Sequence, residues 1–259
     1  MFIIEHCDKT LLYTGDFRAN GRLDFNELLT ELPMVDVLIT EGTTLTREGK
    51  ENIQEELLED IAVNYIKDKK GPAFIMMSAQ NIDRLVTAQN IADQTERVLL
   101  QDIYTAQIAK SCDVLSERAR VFMTGGDKQY EQLKLFNTSK IGKYEIAKTP
   151  FLMCIRQSMK NYLLKLNDLV SFEDGVLFYG MWKGYMEQPE LKEFLDWITS
   201  KGVKVHVLHT SGHADGTTIE NIINKTCPKN IIPIHTENAE WFDKFNATSN
   251  VVKEATLKL

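Results

Sequence analysis

The chain has 259 residues, of which 43% are hydrophobic and 26% are charged, and its formal net charge is −7. This composition is typical of a globular protein with a sizeable core and argues against a disordered, collagen-like or coiled-coil chain. Because the sequence contains no run of about 18 apolar residues, we expect no membrane-spanning segment. The acidic balance excludes a globally basic nucleic-acid binder. It is compatible with an enzyme that meets phosphates through metal ions and one local basic surface.

The N-terminus and the cysteines favour a reducing compartment. Residues 1–8 lack the basic start, the long apolar stretch and the cleavage site of a secretory signal, so we expect a cytoplasmic protein. The four cysteines form no C-x-x-C pair, which argues against a disulfide framework and against zinc bound by cysteine. They are Cys7, Cys112, Cys154 and Cys227.

Short apolar runs alternate with helical patterns along almost the whole chain. Strands are predicted at residues 11–13, 37–40, 73–77, 98–100, 121–124, 151–155, 176–179, 203–208 and 231–234. Helices are predicted at residues 52–67, 82–92, 128–135, 189–199, 217–224 and 238–245. Strands that alternate with helices indicate an α/β architecture with largely parallel sheets.

The segment 128–165 is locally basic, with eight lysines and arginines against two glutamates. Such a run is usually a solvated surface. The alternative is a surface facing RNA, because aromatic residues that could stack on bases are interleaved with the charges. These aromatic residues are Tyr130, Phe136, Tyr144 and Tyr162.

Four short segments place a carboxylate or an imidazole at or just after the end of a predicted strand. They are L-Y-T-G-D-F-R at 12–18, L-I-T-E-G-T-T at 38–44, H-T-S-G-H-A-D at 209–215 and I-P-I-H-T-E at 232–237. In open α/β sheets, binding and catalytic sites collect at the carboxyl ends of the strands. The four segments therefore contain the candidate functional residues.

Taken singly, each of these residues has a structural explanation. Asp16 could be a turn residue that bonds its own backbone, and Glu41 could cap the segment that follows it. His213 could be the neighbour of a helix N-cap, and His206 suits a partly buried structural position in a strand. Only the combination is specific.

In their order and in their amino-acid sequences, the four segments resemble the second half of the metallo-β-lactamase fold in its β-CASP branch. This group of nucleic-acid-processing enzymes includes ribonuclease J and the endonuclease of messenger-RNA 3′-end cleavage. The resemblance implies a partial metallo-β-lactamase fold, its C-terminal half, with an inserted α/β domain of mainly parallel strands. Residues 1–44 and 206–259 would form the metallo-β-lactamase segments, and residues 45–205 the β-CASP insertion.

The resemblance also implies roles for the four residues. Asp16 in T-G-D-F-R matches the aspartate that bridges two zinc ions, and His235 matches a ligand of one zinc, although manganese is an alternative metal. The two metal ions would lower the pKa of a water molecule and would stabilise charge on the attacked phosphate. His213 would donate a proton to the leaving oxygen as general acid. Glu41 would keep His213 protonated and oriented, since a nearby carboxylate raises the pKa of a histidine.

Further candidates would bind substrate. His209, Ser211 and the backbone N–H of Gly212 would cradle a neighbouring phosphate, in a spacing similar to that of ribonuclease J. Ser78 and Asn81, at a predicted strand-to-helix turn, are candidates for contacts with phosphate or sugar. For these two residues, helix capping is the simpler interpretation.

The zinc ligands of the family's first half are missing, because no H-x-H-x-D-H occurs in the chain. The residues before Tyr13 look like a pair of strands that leads into the first motif. The chain is therefore expected to be the C-terminal portion of a longer enzyme, inactive alone, since a catalytic zinc needs about three protein ligands. Its partner would be the missing N-terminal half or a second chain, with a homo-oligomer as one option.

Three functions stay open at this point. The leading hypothesis is a metal-dependent phosphodiesterase acting on RNA or another single-stranded nucleic acid, and the phosphate cradle favours a 5′-end exonuclease. The second is a non-catalytic RNA-binding or scaffold subunit of the same fold. The third is a small-molecule hydrolase of the superfamily, against which the large insertion argues, because it would cover the cleft and form a channel suited to a single strand.

Overall fold

The structure is a computed structural model that describes residues 1–46 and 52–253. The chain divides into two compact units. The first unit comprises Met1–Gln54 and Ser211–Leu259, and the second comprises Glu55–Thr210. These divisions lie about ten and five residues beyond the sequence-based boundaries at 44/45 and 205/206.

Strands and helices alternate through both units. The strands are β1 (Phe2–His6), β2 (Lys9–Tyr13), β3 (Val37–Glu41), β4 (Ala73–Met76), β5 (Val98–Asp102), β6 (Arg120–Phe122), β7 (Phe151–Ile155), β8 (Val176–Tyr179), β9 (Lys204–Val207), β10 (Asn230–Ile234) and β11 (Asn250–Val251). The α-helices are α1 (Phe25–Glu31), α2 (Glu55–Ile66), α3 (Ile82–Gln94), α4 (Ile103–Ser111), α5 (Asp127–Leu133), α6 (Lys143–Ile146), α7 (Lys160–Asn167), α8 (Pro189–Thr199) and α9 (Gly216–Thr226). Short 3-10 helices are at Lys134–Phe136, Gln157–Met159, Lys183–Glu187 and Ala239–Phe245. No helix within the described ranges is both long and apolar enough to cross a membrane.

The first unit contains a five-stranded sheet in the order β1-β2-β3-β10-β11. The hairpin β1–β2 is antiparallel, whereas β2, β3, β10 and β11 run parallel to one another. Tyr13 is opposite Ile39, and Ile234 is opposite Glu41, so β2, β3 and β10 end at the same edge of the sheet. The residues that follow these strands are therefore brought together.

The second unit contains a six-stranded parallel sheet in the order β6-β5-β7-β4-β8-β9. Its central strands β4, β7 and β8 are buried along their whole length, which explains their continuous apolar sequences. Successive side chains point to opposite faces. Phe74 and Met76 of β4 belong to a core with α7 and α8, and Ala73 and Ile75 belong to a core with α2 and α3.

The predicted α/β class with largely parallel sheets is confirmed, and each predicted strand has a counterpart. Two predicted helices were wrong in detail: the segment 238–245 is a 3-10 helix, and the helix predicted from residue 52 begins at Glu55. The sequence analysis did not predict α1, a helix of seven residues without a fully buried side chain, although Phe25 and Leu29 pack against the core of the first unit. It missed α4 because Asp102 both ends β5 and caps α4, which leaves no turn between the two elements.

A buried ion pair connects three parts of the second unit. Arg84 of α3 donates from Nε to Glu55 Oε1 at 2.5 Å and from Nη2 to Glu55 Oε2 at 3.3 Å. Its Nη1 donates to the backbone oxygen of Leu208 at 2.7 Å. Both charged side chains are almost completely buried, at 1% and 0% exposure. Arg84 thus ties the first residue of α2 to the segment that follows β9.

We expect the Glu55→Gln variant to lose about 3–5 kcal/mol of unfolding free energy, because it leaves the Arg84 guanidinium charged and buried without a carboxylate. Urea unfolding of the purified chain measures this change. Glu193→Gln is the matched control: it breaks the solvent-exposed pair with Lys160, and we expect it to change the unfolding free energy far less. Equal effects of the two variants would contradict a structural role for the buried pair.

Candidate active site

Four titratable side chains of the first unit meet where its parallel strands end. Asp16 follows β2 after Gly15, whose φ of +58° turns the chain in the left-handed region that favours glycine. Glu41 is the last residue of β3, and His235 comes directly after β10. His213 lies in the loop before α9. The predicted site residues Asp16, Glu41, His213 and His235 are therefore neighbours in the structure.

Glu41 is fully buried and is the centre of the hydrogen-bond network. Its Oε2 lies 2.8 Å from Nδ1 of His213, and its Oε1 accepts the backbone N–H of Phe17 at 2.8 Å. The backbone N–H of Ala214 donates to the same Oε1 at 3.4 Å. These partners come from the loops after β2 and before α9.

The balance of burial and hydrogen bonding determines the pKa of Glu41. Burial raises the pKa, because a charged carboxylate loses hydration. Hydrogen bonds from His213, from the Phe17 N–H and from Thr43 outweigh this effect and hold the pKa below its ordinary value. Glu41 is therefore a carboxylate at neutral pH and can orient the imidazole of His213.

Asp16 and His235 form a second, more exposed pair. Asp16 Oδ1 lies 3.1 Å from Nδ1 of His235, and Asp16 Oδ2 lies 3.9 Å from Nδ1 of His213. The side chains of Asp16 and His235 are 55% and 57% exposed. Because the Asp16 carboxylate contacts histidines, the interpretation of Asp16 as a turn residue bonding its own backbone was wrong. His235 has a φ of +47°, a strained conformation for a non-glycine residue and one that clusters at functional sites.

Thr43 connects the two pairs and was missed by the sequence analysis. Its hydroxyl donates to Glu41 Oε2 at 2.7 Å and lies 3.2 Å from Nδ1 of His235. The turn between Glu41 and Thr43 is tight, since a Cβ on Gly42 would come within 2.8 Å of side-chain atoms of Leu45 and Thr236. The sequence T-E-G-T at residues 40–43 contained a signal for this turn, because a glycine directly after a buried strand residue allows a close turn.

The donor set is compatible with a metal ion. One ligand atom from each of Asp16, Glu41, His213 and His235 lies within 4.8 Å of the others. Carboxylate oxygens and imidazole nitrogens are ligands of zinc. Asp16 and His235 are the exposed members, whereas the Glu41 carboxylate is occupied by backbone and side-chain donors. The chemistry of the set therefore fits a metal held by Asp16 and His235.

The predicted phosphate-cradle residues belong to different units. Ser211 and Gly212 lie in the first unit, where the Ser211 hydroxyl accepts the backbone N–H of His213 at 3.0 Å. A Cβ on Gly212 would meet no atom of the described residues within 4 Å. His209 lies in the second unit, with Nδ1 3.4 Å from the backbone oxygen of Gly180.

Ser78 and Asn81 occupy the turn between β4 and α3 in the second unit. Asn81 is the N-cap of α3, and its Oδ1 accepts the backbone N–H of Arg84 at 3.2 Å. The Ser78 hydroxyl accepts the backbone N–H of Gln80 at 3.3 Å. The capping interpretation of Asn81 thus fits the structure, while Ser78 also lines a cavity described below.

His206 lies in β9 and is partly buried, in the position that the strand pattern predicted. Its ring contacts that of Tyr65 at an interplanar angle of 51°, with the centroids 3.8 Å apart. Burial lowers the pKa of His206, and the positive charges of Lys69 and Lys204 lower it further.

The basic segment 128–165 does not present all four of its aromatic residues to solvent. Phe136 and Tyr162 are each only 4% exposed and pack in hydrophobic cores of the second unit, so the prediction that they stack on bases was wrong. Tyr130 and Tyr144 are exposed. The apolar periodicity of α7, which buries Tyr162, Leu163 and Leu166, was the signal that distinguished the two groups.

Comparison with known proteins finds matches to a family model and to a known protein. Residues 200–244 match the family model described as the Zn-dependent metallo-hydrolase RNA specificity domain. The chain is similar to Endoribonuclease YSH1 of Mycosarcoma maydis, at 26% identity over 244 residues, covering 91% of this chain and 24% of that protein. It therefore spans about a quarter of the length of this relative.

A solved structure shares the fold. The crystal structure of a protein of unknown function from Enterococcus faecalis V583 matches with a TM-score of 0.74 and 18% identity, covering 97% of this chain and 58% of that one. The predicted resemblance to metallo-β-lactamase-type RNA-processing hydrolases is thereby confirmed. The mixed α/β fold with parallel sheets is consistent with the metallo-β-lactamase type.

We expect Glu41→Gln to destabilise the chain by about 2 kcal/mol at pH 7, because it removes the charge from a buried acceptor of several hydrogen bonds. Because the folded-state pKa of Glu41 is lowered, this stabilisation is present above the unfolded-state pKa of about 4.3. It is lost as the pH falls through the folded-state value.

Urea unfolding of both proteins between pH 3 and pH 7 tests this expectation. The exposed carboxylate of Glu237 provides the control, since Glu237→Gln leaves the bonds of Glu41 intact. A stability difference for Glu41→Gln that is the same at pH 3 and pH 7 would contradict the ionised, hydrogen-bonded state of Glu41.

Proposed function

We propose that the chain contributes to a metal-dependent hydrolase that cleaves phosphodiester bonds in RNA. The observation that carries this proposal is the cluster of Asp16, Glu41, His213 and His235 at one edge of the parallel sheet. The match of residues 200–244 to an RNA specificity domain and the similarity to an endoribonuclease support RNA as the substrate.

Asp16 and His235 would hold the metal. Zinc bound there would supply a water molecule of lowered pKa and would stabilise negative charge on the attacked phosphate. Asp16 has two carboxylate oxygens and could contribute to holding up to two zinc ions, as the resemblance implies. Two protein ligands fall short of the about three that a catalytic zinc uses, so further ligands must join them before a complete centre exists.

His213 would act as the general acid. Its Nδ1 is held by Glu41, so the proton that reaches a leaving oxygen would come from the other ring nitrogen, Nε2. Glu41 would be the positioning residue for this step, because its contact with Nδ1 fixes the orientation of the His213 ring. The backbone N–H groups around Ser211 and Gly212 would bind a phosphate beside the one that is attacked.

Residues 45–205 would form the β-CASP domain, inserted between metallo-β-lactamase segments at 1–44 and 206–259. The small-molecule alternative is disfavoured by the match to an RNA specificity domain. The non-catalytic alternative predicts that the cluster has no affinity for metal, and this difference can be measured.

We expect the chain to bind zinc weakly through Asp16 and His235. Asp16→Asn and His235→Ala should each weaken zinc binding by more than about 100-fold, which exceeds the 10–100-fold typical of residues that only support a ligand. Isothermal titration calorimetry of the metal-free chain measures the affinity.

Glu237→Gln is the control for the zinc titration, because it removes an exposed carboxylate two positions from His235 and leaves the cluster intact. Zinc binding that survives both ligand substitutions would place the metal elsewhere. A native chain without any affinity for zinc would favour the non-catalytic alternative.

In any preparation of the protein that cleaves RNA, we expect His213→Ala to lower kcat by about 10²–10⁴-fold with little change in KM, because general-acid catalysis acts in the transition state. Glu41→Gln should lower kcat less, since the imidazole remains. Cleavage of a labelled single-stranded RNA with saturating metal measures both variants. An unchanged kcat in His213→Ala would exclude the acid role.

A further inference from the structure

The second unit has a cavity of about 590 Å3 that the proposed metal centre does not use. The cavity opens at the carboxyl ends of neighbouring strands in the six-stranded sheet. Met76 ends β4, Arg156 follows β7 and Met181 closely follows β8, and all three line it. Its volume is in the range of pockets that bind small organic molecules, about 300–1,000 Å3.

The chain topology explains why a crevice forms there. After β5 the chain runs through α4 to β6, which lies on the side of β5 away from β7. After β7 the chain runs through α7 to β8, which lies toward the opposite edge of the sheet. Because β5 and β7 are neighbours and their connections leave in opposite directions, a crevice opens beyond their carboxyl ends. Ligands of open α/β sheets bind at such switch points.

Residues after these two strands form a preorganised wall of the cavity. Arg156 donates to Asp102 Oδ1 at 3.2 Å and to Oδ2 at 2.5 Å, and Asp102 itself is buried and caps α4. The guanidinium lies 5.1 Å from the centroid of the Tyr104 ring. Tyr104 is 47% exposed, which leaves ring surface available to a ligand. The bonds to Asp102 use two of the five guanidinium N–H donors, so further donors can reach a ligand.

The remaining lining matches the chemistry of a nucleotide. Three amide side chains, those of Gln80, Gln157 and Gln188, can both donate and accept hydrogen bonds, as the edges of bases require. Methionines provide an adaptable apolar surface for a flat ring. Among the described residues that line the cavity, Arg156 is the one charged side chain, which suits a single phosphate better than a polyanionic ligand.

We propose that this cavity is a nucleotide-binding site, in which a base stacks on Tyr104 and the adjoining phosphate accepts hydrogen bonds from Arg156. The site is separate from the proposed metal centre in its residues and in its chemistry. Only the choice of an RNA strand as the source of the nucleotide rests on the proposed function. A free nucleotide has the same chemistry, and the experiment separates the two sources.

The test is a titration of the 15N-labelled full chain with 5′-AMP, followed by NMR in a buffer that contains EDTA. EDTA removes metal-dependent phosphate binding, so a failure of the proposed metal centre cannot mask or mimic this site. Adenosine and inorganic phosphate are titrated in parallel. We expect AMP to bind more tightly than either, because only AMP engages both the Tyr104 ring and the Arg156 guanidinium.

Two substitutions test the two contacts. Tyr104→Leu should weaken AMP and adenosine binding by about tenfold, the size of one base–aromatic stack. Arg156→Gln should reduce the affinity for AMP to that for adenosine. Because Arg156→Gln leaves the buried Asp102 without its partner, Arg156→Lys and a thermal-unfolding measurement accompany it. Tyr104 is half exposed, so Tyr104→Leu keeps the test valid if Arg156→Gln does not fold.

Tyr144→Leu is the matched control, since Tyr144 is a 76% exposed tyrosine beside Lys143 in the basic segment and outside the cavity. AMP affinity that falls in Tyr144→Leu and not in Tyr104→Leu would overturn the proposal. Inorganic phosphate that binds as tightly as AMP would also overturn it.

A single-stranded ten-nucleotide adenosine RNA, titrated in the same buffer, identifies the source of the nucleotide. Tighter binding of the RNA than of AMP, lost in Tyr104→Leu, supports the site as part of an RNA-binding surface. Equal binding of the two, also lost in Tyr104→Leu, supports a site for a free nucleotide. Both results support the nucleotide site, whereas RNA binding that Tyr104→Leu leaves unchanged counts against it.

Discussion

The arrangement of the candidate active site depends on one buried carboxylate. Glu41 accepts hydrogen bonds from the backbone after β2, from the loop before α9 and from its own turn, and it holds Nδ1 of His213. A buried charge of this kind is tolerated only when donors surround it. The same donors that satisfy Glu41 therefore determine where His213, Asp16 and His235 stand, so the geometry of the site and the stability of the first unit have a common origin.

In both units, the candidate binding residues follow parallel strands that end together. In the first unit, parallel strands β2, β3 and β10 end together and present carboxylates and imidazoles, which suit a metal ion and a phosphate. In the second unit, β5 and β7 end together, and the segments after them present an aromatic ring and an arginine, which suit a base and its phosphate. Parallel sheets concentrate loops at one edge, and the residue types in these loops decide what is bound.

The sequence predicted the strands and the four clustered residues well, because each lies at the end of a short apolar run. It could not predict the Tyr104–Arg156 wall, since this contact depends on which strands are neighbours in the sheet. The β5–β7 pairing joins residues about fifty positions apart, and no local pattern records it. The burial of Phe136 and Tyr162 was missed for a related reason: charged neighbours in the sequence concealed aromatic residues that face the core.

The Arg84 guanidinium has a consequence for how the chain folds. It contacts Glu55, the first residue of the second unit, and the backbone of Leu208, near its last residue. Once the second unit has folded, the two chain segments that leave it emerge at nearly the same place. The pairing of β3 with β10, which joins Ile39 to Ile232, then closes a short effective loop instead of one of almost two hundred residues. Early folding of the second unit would lower the entropic cost of assembling the first, and with it the barrier to bringing Asp16, Glu41, His213 and His235 together.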